Sequence, residues 1–251
     1  GSEYKAEIIG SDRNSDIALL KIEGRGLPFA ELGNSDDLII GEWVVAMGNP
    51  FGLADVSKQP SATAGIVSSV DLDLGREVEG RVYIGMIQTD ASINPGHSGG
   101  PLCNADGEVI GINAFIYTGG GYSEGSIGIG FAIPINRAKE IAEELKLYGK
   151  IDRSFATGLR VQRVDRYLAQ TLELHRVTGV IITDVEVGSS AQEAGLQVGD
   201  VIINVNGFSV NSRRDILSII EDGDLRSGDS IHVSFFRDGL YFEASVKLSD
   251  V

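Results

Sequence analysis

At 251 residues, with 42% hydrophobic and 23% charged side chains, the chain has material for one large or two modest cores. A net charge of −15 opposes phosphate backbones and anionic lipid headgroups, which argues against nucleic acid as a partner. No apolar run reaches the roughly 18 residues of a membrane span, and the opening GSEYKAEIIG lacks the pattern of a signal peptide.

In chain order, residues 4–9, 17–22, 43–47, 62–70, 82–88, 108–116 and 127–133 read as short β-type runs. Turn signals such as Gly33-Asn34-Ser35-Asp36, Gly48-Asn49-Pro50 and Asp106-Gly107 separate them. Many short strands, together with 33 glycines for tight turns, argue an antiparallel barrel or sandwich. Cys103, the single cysteine, excludes an internal disulfide and is expected as a small buried hydrophobe. The period then changes. In PINRAKEIAEELKLYG, Ala138, Ile141, Ala142 and Leu145 share a helical face and Gly149 stands where a C-terminal cap belongs. A domain boundary is expected close after it, giving domains 1–150 and 151–251. In the second, strands are expected at 159–164, 180–185 and 201–205, and helical stretches at 167–174, 191–194 and 212–221. A final hairpin, 231–237 and 240–248, turns at Asp238-Gly239, and Asn206-Gly207 marks another turn.

The chemistry concentrates at residues 94–102, NPGHSGGPL. Gly96-His97-Ser98-Gly99-Gly100 matches the G-x-S-x-G nucleophile elbow, but that motif needs a helix directly after it. Here Pro101-Leu102-Cys103 and EVIGINAFI read as strand, turn, strand. An acyl-transfer serine in a tight turn needs adjacent amides aimed at a developing oxyanion, and flanking glycines allow that turn. The amides of Gly96 and Ser98 are the natural donor pair, with that of His97 between them. A glycine-rich turn that merely contains a serine is the competing reading of the pentapeptide. A serine hydroxyl also needs a base, and the histidines are His97, His175 and His232.

The longer stretch QTDASINPGHSGGPLCNADGEVIGIN closely resembles the nucleophile segment of the HtrA/Deg family. SDIALLKI (15–22), VVAMGNPFG (44–52), TAGIVSS (63–69) and IGIGFAIP (127–134) follow the family's order. TDVEVGSSAQEAGLQVGDVIINVNG (183–207) resembles a PDZ domain. The resemblance implies a mainly β chain: a chymotrypsin-like double β-barrel whose N-terminal part precedes residue 1, then an α+β PDZ domain. It implies a serine endopeptidase of unfolded or misfolded polypeptides, acting in protein quality control or stress signalling. Ser98 is then the nucleophile, Asp16 the residue that orients the base, and Gly96, His97 and Ser98 supply the oxyanion amides. Asp12 is expected as a turn residue and Asp90 as a loop-structuring one.

The family carries its base upstream of the aspartate, so these residues alone are expected to be unable to complete a triad. His97 departs from the family's Asn or Asp, which bears on how the oxyanion loop is held. Ile93 and Ile116 would wall the pocket for the residue before the cut, or else are core. In the PDZ domain, Thr157, Gly158, Leu159 and Arg160 occupy the carboxylate loop, with a peptide C-terminus added beside 159–164 and the 212–221 helix as the far wall. Arg160, Arg213 and Arg214 read as solvated charge. GGGYSEGSIGIG reads as a flexible specificity loop. The resemblance implies a homotrimer in the periplasm, with any membrane anchor upstream of residue 1. No cofactor is implied, and no His/Cys/carboxylate cluster has metal-ligand spacing. The alternative is a non-catalytic peptide-binding scaffold that works through the PDZ groove.

Overall fold

A computed structural model describes residues 3–52, 59–76, 80–116, 125–171 and 178–251. The chain divides into two compact units, Gly1–Ile151 and Asp152–Val251.

In the first unit, β1 (Ala6–Asp12) and β2 (Ile17–Ile22) pair as a two-stranded antiparallel sheet. There follow β3 (Trp43–Gly48), β4 (Ser61–Leu72), β5 (Gly75–Arg76), β6 (Val82–Tyr83), β7 (Met86–Thr89), β8 (Pro101–Asn104), β9 (Val109–Ile116) and β10 (Gly130–Pro134). Six of these close into a barrel in the order β10-β7-β4-β3-β8-β9, leaving no exposed strand edge. The run expected as one strand at 82–88 is two. Gly85 sits at φ +63° and turns the chain from β6, paired with β5, into β7, which belongs to the barrel. A residue with a Cβ seldom holds that conformation.

Period-two alternation sorts the apolar residues into two layers. Ala132 of β10 packs with Val44, Ala46, Val67, Ile87, Leu102 and Ile110. Its neighbours Phe131 and Ile133 pack with Ile135, Ala138, Ile141 and Leu145 of α1 (Ile135–Tyr148). Gly149, at φ +71°, ends α1 as expected and donates its N–H to the Leu145 carbonyl. A Cβ on Gly10 of β1 would lie 2.6 Å from the Gly149 oxygen, so the first hairpin is seated against the end of α1.

The second unit comprises β11 (Leu159–Arg163), α2 (Arg166–Thr171), β12 (Val180–Val185), α3 (Ser190–Glu193), β13 (Val201–Val205), β14 (Phe208–Ser209), α4 (Arg213–Asp222), β15 (Ser230–Arg237) and β16 (Leu240–Lys247). The antiparallel order is β11-β12-β13-β15-β16, with β14 paired to β13. Asn206 and Gly207, at φ +49° and +83°, make the first expected turn, and Asp238 and Gly239, at +47° and +81°, make the second. Ser212 caps α4 in a reciprocal capping box with Asp215. The end of the helix expected at 167–174, and with it His175, lies outside the described residues.

Candidate functional site: the Ser98 loop, Asp16 and the peptide groove

Ser98 stands exposed in the turn between β7 and β8, and glycines hold that turn by close approach as well as by φ. Gly96 is at φ +97°, and a Cβ there would run into the Asn49 carbonyl oxygen. A Cβ on Gly100 would strike the Met47 oxygen, and one on Gly48 the backbone of His97. The loop therefore lies directly on the end of β3, without intervening side chains. Asn49 N–H donates to the Gly96 carbonyl at 2.8 Å. Gly99 N–H donates to Asn113 O at 2.7 Å, and Asn113 N–H returns a bond to Gly100 O at 2.8 Å.

Accounting for the loop's amides identifies the free ones. His97 N–H goes to Asn94 O at 2.9 Å, and Gly100 N–H to His97 O at 2.9 Å. The amides of Gly96 and Ser98 carry no bond among the described residues. Of the three amides expected to face an oxyanion, that of His97 is thus turned into the loop. Its side chain is also internal: His97 is 1% exposed, and its Nδ1 lies 3.2 Å from Asn94 O and 3.3 Å from Asn94 N. Nothing among the described residues bonds its Nε2. Asn113 braces the turn further, its Nδ2 donating to Met47 O at 3.1 Å and Pro101 O at 3.2 Å. Sequence reading gave no sign of this residue, because a lone Asn inside a strand run has no distinguishing spacing.

Asp16 occupies the β1–β2 turn at φ +60°. Tyr83 of β6 donates its hydroxyl to Asp16 Oδ2 at 3.1 Å, and Arg81 Nε lies 3.1 Å from Oδ1. Burial, and secondarily the Asp16 charge, push the Tyr83 phenol up to about 12. Neither Arg81 nor Tyr83 could be tied to Asp16 from spacing, since more than sixty positions separate them in the chain. Asp12 accepts from Ser15 N–H at 2.9 Å and structures the turn before Asp16. Asp90 accepts the Ile66 N–H at 2.7 Å and ties β4 to the start of the Ser98 segment.

Ile93 is 1% exposed and belongs to the barrel core, its side chain lying where a Cβ on Gly130 would need to go. Ile116 pairs with Gly130 through its backbone, while its side chain and most of the glycine-rich loop lie outside the described residues. Cys103 is buried as expected, and burial raises its thiol pKa.

In the second unit a cavity of about 510 Å³ lies between β11 and α4. Leu159 and Val161 line one side, Ile216, Leu217 and Ile220 the other, and Ile202, Val205, Ile231 and Val233 lie beneath. β11 is the last strand of the sheet, so one row of its amides and carbonyls is unpaired. Gly158 sits at φ +70° against Ser189, just before that strand. Thr157, Gly158, Leu159 and Arg160 all border the cavity, and Arg160 also approaches Asp184 at 3.7 Å. His232 is on β15. Among the described residues no cluster of His, Cys and carboxylates could hold a metal ion, and no helix is long and apolar enough to cross a membrane.

Residues 1–112 match the family model for the trypsin-like peptidase domain, and residues 156–248 that for the PDZ domain. Among solved structures, the HtrA-type protease AlgW with a decapeptide superposes with a TM-score of 0.64 at 34% identity, over 99% of this chain and 72% of that one. The chain belongs to the HtrA family. A second solved structure, the serine endoprotease from Yersinia pestis, aligns at 30% identity and a TM-score of 0.56, covering 99% and 76% of the two chains. The probable periplasmic serine endoprotease DegP-like of Ectopseudomonas mendocina (strain ymp) is 44% identical over 95% of this chain and 47% of its own length. That of Halomonas elongata is 40% identical over 100% and 50%. The chain thus spans about half the length of these curated relatives.

Proposed function

We propose that the protein is a serine endopeptidase whose nucleophile is Ser98, whose oxyanion donors are the Gly96 and Ser98 amides, and whose base is oriented by Asp16. The observation that carries this reading is the Ser98 turn: an exposed hydroxyl with two uncommitted amides beside it, pressed onto β3 by glycines. Attack of Oγ on a peptide carbonyl places negative charge on the carbonyl oxygen, and those two N–H groups receive it. The base takes the Oγ proton and returns it to the leaving amine. The His97 ring is held inside its own loop and is not that base; the family resemblance assigns the role to a histidine upstream of Asp16. Asp16, already fixed by Tyr83 and Arg81, would hold its imidazole. The substrates are unfolded polypeptides, and the PDZ groove takes peptide C-termini by adding them as a strand beside β11. The names of the relatives support a periplasmic location, and a homotrimer acting in protein quality control is what the family resemblance implies.

The test is labelling of the full-length protein with a fluorophosphonate, mapped by peptide mass spectrometry. Label on Ser98, lost in Ser98→Ala together with turnover of an unfolded substrate, is expected. Turnover that survives Ser98→Ala would refute the assignment. C-terminal peptide binding with no label on Ser98 would favour a scaffold that works through the groove alone.

A further inference from the structure

The groove between β11 and α4 has a direction, set by contacts at its two ends. At one end Arg153 Nε lies 2.8 Å from Asp224 Oδ1, joining the approach to β11 to the chain just beyond α4. At the other, Val164 N–H donates to Gly179 O at 3.1 Å, and Gly179 N–H donates to Asn211 Oδ1 at 3.3 Å. Asn211 stands directly before the Ser212 cap, so the end of β11 meets the start of α4. Strand and helix therefore run in opposite senses along the cavity. The groove wall on α4 is Ile220, Leu217, Ile216 and then Arg213, one stripe at helical spacing that changes from apolar to cationic toward the start of the helix.

A peptide whose carboxylate sits at Gly158–Leu159 must extend antiparallel to β11, toward Arg163. Its last side chain enters the apolar part of the cavity. Side chains in a strand alternate, so the residue two positions earlier faces the same wall, about 6.8 Å further along. From Leu217 back to Arg213 is four helical residues, about 6 Å along the axis. The two steps coincide. Arg213 forms no ion pair among the described residues, whereas Arg160, at the other end, is already beside Asp184. Asp215, two residues on, makes no ion pair with Arg213; its carboxylate accepts from the Asn211 and Ser212 amides at 2.7 and 3.0 Å.

We propose that Arg213 makes this groove selective for C-termini that end in an apolar residue and carry an acidic side chain two positions before it. This rests on the groove reading given under the proposed function and adds the charge preference to it. Arg213 thereby departs from the solvated role expected of it, while Arg214, which does not line the cavity, keeps that role.

Fluorescence polarisation on the 251-residue chain tests the proposal with labelled hexapeptides ending Glu-Ser-Ile, Gln-Ser-Ile or Lys-Ser-Ile. Each is also made as its C-terminal amide. The Glu peptide is expected to bind about fivefold tighter than the Gln peptide, with Lys weakest and the spread narrowing as salt is added. Arg213→Glu should reverse the order, and Arg214→Glu should leave it unchanged. Equal affinities for Glu, Gln and Lys, or an order that survives Arg213→Glu, would overturn the selectivity while leaving groove binding intact. If the free acids bind no better than their amides, the groove reading itself fails, and this inference fails with it.

Discussion

Gly158→Ala is the substitution whose effect can be worked furthest from the structure. The new methyl would overlap Ser189 Cβ, lie 2.5 Å from Ser189 Oγ and 3.2 Å from Glu186 Cβ. The backbone there is at φ +70°. Holding a non-glycine residue in that region costs about 1–2 kcal/mol, and the overlap adds about 1–3 kcal/mol of overpacking. A stability loss near 3 kcal/mol is therefore expected, confined to the second unit. Because Gly158 O also accepts the Glu186 N–H at 2.8 Å, relief by movement carries along the amides proposed to hold a peptide carboxylate, and peptide affinity should fall at least about tenfold. The two contributions separate in a cycle with Ser189→Gly, which removes the clashing side chain. Ser189 caps α3 by accepting the Gln192 N–H, and a glycine cap loses only a few tenths of a kcal/mol. The double variant should recover the overlap term and keep the φ term, a coupling of about 1–3 kcal/mol. Segment-resolved hydrogen exchange on β11 and β12 gives the stability, with the first unit as internal control, and polarisation gives the affinity. A double variant no better than Gly158→Ala alone would refute the claim that contact with Ser189 sets the loop.

Three further outcomes follow from particular contacts. Arg237→Leu should cost the second unit about 3–5 kcal/mol, because Asp200, 1% exposed and bonded by Arg237 at 2.6 and 2.7 Å, is left as an unpaired buried charge; hydrogen exchange in β13 and β15 reads this out, and adding Asp200→Ala should restore part of it. The Asp215 carboxylate is held below its ordinary pKa, chiefly by the Asn211 amide and then by the Ser212 hydroxyl, so its stabilisation is present above about pH 4 and lost as pH falls through the depressed value. Denaturant midpoints of the native chain and of Asp215→Asn should therefore converge in acid, and a pH-independent gap would contradict the capping role. Tyr83 has a raised pKa of about 12, so its contribution is complete below pH 10 and is lost between about 10 and 12. Spectrophotometric titration of Tyr83→Phe should accordingly lose a late-ionising phenol rather than an ordinary one.

Turn chemistry made much of the architecture legible. Asn206-Gly207, Asp238-Gly239 and the Gly149 cap act within four residues of themselves, so composition alone located them. The short β-type runs that became β3 and β9 and the helical stripe of α1 were equally local. The 82–88 run reads as one strand because Gly85's positive φ leaves no mark on an otherwise apolar stretch. At the site, the glycines around Ser98 announced a tight turn, but which amides remain free depended on where Asn94, Asn113 and β3 came to rest. Ile93 shows the same limit: an isoleucine ahead of the loop suits a pocket wall or a core equally, and only packing against Gly130 places it in the core.

The sequence by itself determined the strand-rich character, the change of period at α1, the turn residues and the family to which Ser98 and Asp16 point. These depend on interactions between residues near in the chain or on motifs whose spacing survives in one dimension. Only the tertiary structure decided that Tyr83 and Arg81 hold Asp16, that the His97 ring is internal, and that α4 runs against β11 with Arg213 at the far end of the groove. Each of those depends on residues tens of positions apart, brought together by barrel closure or sheet order; even the His97 ring, bonded locally to Asn94, is internal because its loop lies against Gly48. Contacts of that kind are fixed by packing the whole unit, and no local pattern encodes them.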